Sequence, residues 1–165
     1  MPTRSTCLVL LVEGAGDERR LLLGRKQRGF GSGKVVAIGG HLEDGESAVG
    51  AAVRETREET GLVVKEAALR QVASIEFRFP ARPEWDLDST VFASGEFEGT
   101  LRPCEEIVPE WVPVGALPLE SMWADSRHWL PPVLAGARVR ARFVYGDDCE
   151  TLADILIEPL FPDSL

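Results

Sequence analysis

The sequence predicts an α/β (α+β) protein, a mixed β-sheet flanked by helices. Short apolar runs bounded by glycine or proline recur along most of the 165 residues, as strands between turns would. Only two segments, 47–60 and 129–135, read as helices, and both interrupt the strand-like series. No segment repeats at a fixed period and no linker or low-complexity stretch divides the chain, so one domain over residues 1–165 is expected.

Cys7–Val12 is a continuous apolar run ending at Gly14-Ala15-Gly16-Asp17, a buried strand entering a turn. Arg20–Arg25, which carries Leu21-Leu22-Leu23, is its expected hairpin partner. Arg28–Lys34 is a glycine-rich loop, and the apolar piece Val35–Ile38 that follows should be broken by Gly39-Gly40. Ser47–Thr60 is the clearest helix: Ala48, Val49, Ala52, Val53 and Thr56 recur at helical spacing, and Gly61 suits its C-terminal stop. Leu69–Phe79 and Asp88–Phe97 read as strands joined through Pro80 and Pro83. Glu110–Val114 reads as a short strand, and Pro118–Trp123 as a loop or single turn. Trp129–Ala135 reads as a helix with Pro131-Pro132 in its first turn. Arg138–Tyr145 and Thr151–Glu158 form a hairpin around Gly146-Asp147-Asp148.

Composition narrows the function. With 18 Lys+Arg against 27 Asp+Glu, the net charge of −9 argues against a broad surface for nucleic-acid polymers or membranes. A small phosphorylated substrate stays compatible if a cation or a local basic patch bridges the two negative partners. Cys7, Cys104 and Cys149 are odd in number with no CxxC spacing, which fits a reducing cytosol and not a disulfide framework or zinc site. The first apolar run is too short to cross a bilayer, and Glu13-Gly14 follows it, so a cytoplasmic protein is expected.

On a helix turning about 100° per residue, Glu55, Glu58 and Glu59 share one side while Val49, Val53 and Thr56 point away. Like charges at this spacing repel, and a hard divalent cation is the natural offset. Arg54, four residues before Glu58, can hold that carboxylate. The alternative is a solvated acidic face balanced by Arg54 and Arg57. The surroundings favour the cation: Gly40-x5-Glu46-x7-Arg54-Glu55-x2-Glu58-Glu59-x-Gly61, closed by Leu62, is the Nudix box. Seven fixed positions match without a gap, and Thr56 alone stands where an aliphatic residue is common.

The chain therefore resembles the Nudix hydrolases, which cleave a nucleoside diphosphate linked to another group. The resemblance implies an α/β/α sandwich and a loop–helix–loop that holds Mg²⁺, with Mn²⁺ as the alternative. Glu55, Glu58 and Glu59 match the family's metal-ligating, catalytic glutamates, and a backbone carbonyl near Gly39-Gly40 completes the shell. Glu46 and Arg54 match the positions that brace the loop and orient the helix. A further ligand or general base from a later loop matches Glu105 or Glu106, with Glu106 preferred. Arg25, Lys26, Arg28 and Lys34 precede the box, as phosphate-steering groups or as ordinary surface.

Leu22–Lys34 and Ser121–Trp129 are also similar to segments of the MutT-like 8-oxo-dGTP diphosphatase branch, the oxidised-purine nucleoside triphosphatases. That similarity implies a purine stacked on Trp123, Phe30 and Phe77 near base or sugar, Asp125 on the base edge and Lys26 at the mouth. Plain core packing is the alternative for Trp123 and Phe77. Two positions depart: the branch's base-reading Asn falls at Val36 and its second pocket aspartate at Ser126. Val36 has neither donor nor acceptor, which leaves open weaker selectivity for 8-oxoguanine or another purine nucleotide.

The expected activity is Mg²⁺-dependent cleavage of a noncanonical purine (deoxy)nucleoside triphosphate to monophosphate plus pyrophosphate, a pool-sanitising reaction. The partner expected is the small-molecule nucleotide, with no nucleic-acid polymer or membrane, and the sequence leaves protein partners open. Unmodified triphosphates or nucleoside-diphosphate-linked compounds are the alternative substrates, and a binding module without catalysis is the alternative class. His41 and His128 are expected to be structural or on the surface, with assistance at the site as the alternative.

Overall fold

Alternation along the strands divides the interior into two cores. The computed structural model describes residues 3–161 and contains ten strands: β1 (Arg4–Glu13), β2 (Arg20–Lys26), β3 (Val35–His41), β4 (Leu62–Val63), β5 (Arg70–Arg78), β6 (Leu87–Ser94), β7 (Glu98–Gly99), β8 (Ile107–Pro113), β9 (Val139–Tyr145) and β10 (Leu152–Pro159). Helix α1 (Ala48–Thr60) lies between β3 and β4, and α2 (Ser126–Leu134) between β8 and β9. Cys7, Val9 and Leu11 of β1 enter the core covered by Ala51 and Ala52 of α1. Leu8, Leu10 and Val12 enter the other, covered by Trp129, Leu130, Val133 and Leu134 of α2. One helix per sheet face gives the α/β/α sandwich.

Eight strands form one sheet in the order β10-β9-β5-β6-β1-β3-β2-β8, with β1 also touching β2 as a hairpin. β1–β6 and β5–β9 are parallel and the other pairs antiparallel, so the sheet is mixed. β4 and β7 form a separate two-stranded ribbon, too short to be read in the sequence. No helix among the described residues is long and apolar enough to cross a membrane.

Helix α1 starts where Ser47 Oγ accepts the Gly50 amide and stops where Gly61 takes a φ of 80° and donates to Arg57 O. Thr56 is fully buried in place of an aliphatic residue because its hydroxyl donates back to Ala52 O at 2.7 Å.

Three expectations need correction. Gly39-Gly40 does not end the third strand, which runs on to His41 and pairs with β1 through both glycines. A Cβ at Gly39 would lie 2.0 Å from Cys7 O, so this glycine permits close strand approach and breaks nothing. The strand expected at Glu110–Val114 covers Ile107–Pro113. The second helix begins at Ser126, which puts Pro131 and Pro132 in its second half and not in its first turn. Its start was hidden because Asp125, at the N-cap position, makes no capping bond and gives its carboxylate to Trp129 and Tyr145.

Candidate active site

The antiparallel β1–β3 pair brings Gly39 and Gly40 against α1. The Gly39 amide donates to Glu59 Oε1 at 2.8 Å, and a Cβ at Gly40 would lie 2.7 Å from the Glu55 carboxyl. Glu59 is only 8% exposed, which is rare for a glutamate without a cationic partner. Burial pushes its carboxyl up to about 8, the Gly39 amide opposes that rise, Glu55 and Glu106 add to it, and Lys26 opposes it. Burial also raises Glu55, chiefly against its bond from Arg54, with Glu58 and Glu106 adding to the rise.

Arg54 organises the rest. Its Nε and Nη2 donate to the two Glu46 oxygens at 2.8 and 2.9 Å, a bidentate pair. Its Nη1 donates to Glu55 at 2.8 Å and to Glu58 at 3.1 Å, and Nη2 also reaches His41 O at 3.1 Å. Those bonds from Arg54, with the Glu43 amide, hold the Glu46 carboxyl down to about 2. The guanidinium thus ties the loop before the helix to two carboxylates on it.

Glu105 turns outward to pair with Arg28 at 3.0 Å, with its side chain 86% exposed. Glu106 instead lies close enough for its charge to act on both Glu55 and Glu59. Glu55, Glu58, Glu59 and Glu106 offer only hard oxygen atoms in mutual repulsion, a donor set that suits Mg²⁺ or Mn²⁺. Among the described residues no three acidic side chains close into a cage, because Arg54 draws Glu55 and Glu58 while Gly39 holds Glu59.

A cavity of about 240 Å³ opens beside this cluster, and Gly39, Gly40 and Glu59 line it together with Lys26, Phe30, Val36, Phe77, Trp123, Asp125 and Ser126. Phe30 stacks on Trp123 with ring centroids 5.2 Å apart, which leaves no room for a purine between them. Phe77 stacks instead on Phe143 with centroids 6.2 Å apart. Asp125 is buried and accepts from Trp129 Nε1 at 2.8 Å and from the Tyr145 hydroxyl. Burial raises its carboxyl, and those two bonds oppose the rise.

Of the four basic residues before the box, only Lys26 lines the cavity. Arg28 pairs with Glu105, Lys34 pairs with Glu150 at 3.0 Å, and Arg25 donates to Gly33 O. His41 also lines the cavity, its pKa lowered by burial and by the charges of Arg4 and Lys26. Residues missed in the sequence include Tyr145, Phe79 and Arg4. The Asp125–Trp129 contact could have been read from its i, i+4 spacing, but nothing local marks Tyr145.

Several known proteins are similar to this chain. A mouse protein named oxidized purine nucleoside triphosphate hydrolase is 33% identical over 156 residues, covering 94% of this chain and 96% of the relative. A zebrafish (Danio rerio) protein of the same name is 36% identical over 138 residues, 84% of each chain. The crystal structure of a mutator MutT protein from Bacillus halodurans superposes with a TM-score of 0.75 at 24% identity, covering 94% of this chain and 97% of that one, a likeness of fold. Residues 1–133 match the NUDIX domain family, and the chain therefore belongs to the Nudix hydrolases.

Proposed function

We propose that this protein is a divalent-cation-dependent pyrophosphohydrolase of an oxidised or otherwise noncanonical purine (deoxy)nucleoside triphosphate, releasing the monophosphate and pyrophosphate. The observation that carries the reading is that one cavity is lined at once by Glu59 of the carboxylate helix and by Trp123 and Asp125. The names of the mouse and zebrafish relatives support the substrate class. The three free cysteines, Cys7, Cys104 and Cys149, support a cytoplasmic setting for such a pool-sanitising enzyme.

Glu55, Glu58, Glu59 and Glu106, with a backbone carbonyl at Gly39 or Gly40, would hold Mg²⁺ or Mn²⁺. When bound, such an ion neutralises phosphate oxygens and lowers the pKa of the attacking water. The remaining work belongs to the chain. Arg54 keeps Glu55 and Glu58 oriented through its bonds to both. Gly39 fixes Glu59 with its amide. Exposed Glu106 can accept the water proton, and Lys26 offers a charge to the phosphates at the cavity wall. For a base to stack on Trp123, the Phe30 loop must swing aside; Gly29, Gly31 and Gly33 within it all have positive φ.

Val36 and Ser126 line the same cavity and favour a second reading, in which unmodified triphosphates or nucleoside-diphosphate-linked compounds are accepted. Pyrophosphate release with Mg²⁺ from 8-oxo-dGTP against dGTP, and 2-hydroxy-dATP against dATP, separates the two. A hundredfold preference for an oxidised member, about 2.7 kcal/mol of transition-state discrimination, is expected. Comparable rates on all four would transfer the assignment to the second reading. Glu58→Gln and Glu59→Gln should each stay folded and lose nearly all turnover. Turnover retained in either folded variant would remove the glutamates from the chemistry.

A further inference from the structure

Three arginines border a second cavity at the far end of the strands that build the first. This groove, of about 480 Å³, is lined by Arg19, Arg70 and Arg138 and, among the described residues, by no acidic one. The ends of β1, β5 and β6 opposite the substrate cavity form its walls. Helix α2 runs from one cavity to the other, with Asp125 at its N-cap and Trp129 in the first, Val133 and Leu134 in the second.

Such a cluster is unusual in this chain, where acids outnumber bases 27 to 18. Elsewhere Arg20, Arg28, Arg78, Arg82, Arg127 and Arg142 each stand within 4 Å of a carboxylate, while Arg4, Arg25, Arg57, Arg102 and Arg140 do not among the described residues, but none of those five lines this groove. Among the described residues, none of the three groove arginines has a carboxylate within 4 Å. Arg19 is half-buried and positioned by the end of α2, where its Nη1 donates to Leu134 O at 2.9 Å, leaving its other donors uncommitted among the side-chain bonds of the described residues. Arg70 and Arg138 are exposed, and the Arg138 guanidinium lies 5.9 Å from the centre of the Phe161 ring. Like charges in one concavity with no carboxylate partner among the described residues repel, and a multiply charged anion relieves that repulsion while matching the planar guanidinium fork.

We propose that this groove is a binding site for a small phosphate-type oxyanion, separate from the carboxylate helix. The three arginines on its lining carry charge enough for one phosphate or pyrophosphate group, and Val72, Val133 and Leu134 form its apolar wall. A nucleic-acid polymer does not fit: it needs an extended basic stripe, and the net charge of −9 opposes it.

The test is an amide NMR titration of the full chain with inorganic phosphate, in EDTA so that no divalent ion recruits phosphate to the glutamates. Saturable shifts are expected at Ser94, Gly95, Gly136 and Ala137, which line the groove, with affinity at least tenfold weaker in Arg70→Ser/Arg138→Ser. Arg19 is left intact because it holds the end of α2. If the double variant fails to fold, the single charge reversal Arg70→Glu must still weaken binding. Absence of saturable groove shifts, shifts confined to Lys26 and the Gly39–Gly40 amides, or equal affinity in folded variant and parent would each overturn the site.

Discussion

Gly39 and Glu59 are joined across the edge of the site: the backbone amide of a strand residue donates, at 2.8 Å, to a carboxylate buried on the facing helix. The bond depends on an approach that only glycine permits, since a Cβ at Gly39 would fall 2.0 Å from Cys7 O at a φ of 153°. Gly39→Ala is expected to lose about 3 kcal/mol of stability, from backbone strain and the displaced strand. Chemical denaturation measures it, and a loss under about 0.5 kcal/mol, the range of an ordinary surface change, would contradict the reading.

Gly40 poses the opposite case. The atoms a Cβ would strike there are the carboxyl end of Glu55, at 2.7 Å, and a side-chain terminus can move where backbone cannot. Gly40→Ala should keep its melting temperature within a few degrees yet lose about tenfold or more in kcat, because Glu55 leaves its place. Paired melting and turnover assays on the two alanine variants should show opposite patterns.

The Glu46–Arg54 pair has a pH signature. The Glu46 carboxyl titrates at about 2, below its ordinary 4.5, so its ionised form stabilises the fold above about pH 4.5. That contribution is lost as pH falls from 4.5 towards 2. Glu46→Gln should therefore be less stable than the parent at pH 6, and the gap should close across that acidic window. Urea melts at a series of pH values report it, and a gap independent of pH would assign the loss to packing.

Tyr145 lines the cavity and donates to Asp125 while its oxygen accepts the Asp125 amide at 3.2 Å. Tyr145→Phe leaves two buried polar groups short of a partner and should cost about 2 kcal/mol. With purine substrates KM should rise more than kcat falls, since the Arg54 cluster is untouched. A kcat loss at unchanged KM would place Tyr145 in the chemistry.

The carboxylate helix was legible because its information is local. Ser47 and Gly61 act within a turn of where they stand, Arg54 reaches back only to Glu46 and His41, and the box spacing encodes these contacts. The cavity was legible only through resemblance, since Trp123, Val36 and Phe30 sit on separate elements that meet through the sheet. Gly39-Gly40 misled for a related reason. Glycine reads as a breaker in one dimension, while its use here is set by Cys7 on a neighbouring strand. The second helix was misplaced because Asp125 spends its carboxylate on tertiary partners in place of a cap.

The parallel pairing of β5 with β9 has a consequence during synthesis. As the chain leaves the ribosome from its N-terminus, β5 can pair with β6 at once but must wait for β9 on its other side. Until then Ala73 and Ile75, buried in the finished protein, border an open edge that another nascent strand could join. The carboxylate helix and its glycine strand are complete well before Tyr145 is translated, so the cavity they border gains its last wall only with β9. Slow elongation between residues 79 and 139 would lengthen that exposure, and chaperone dependence should follow translation speed through this stretch.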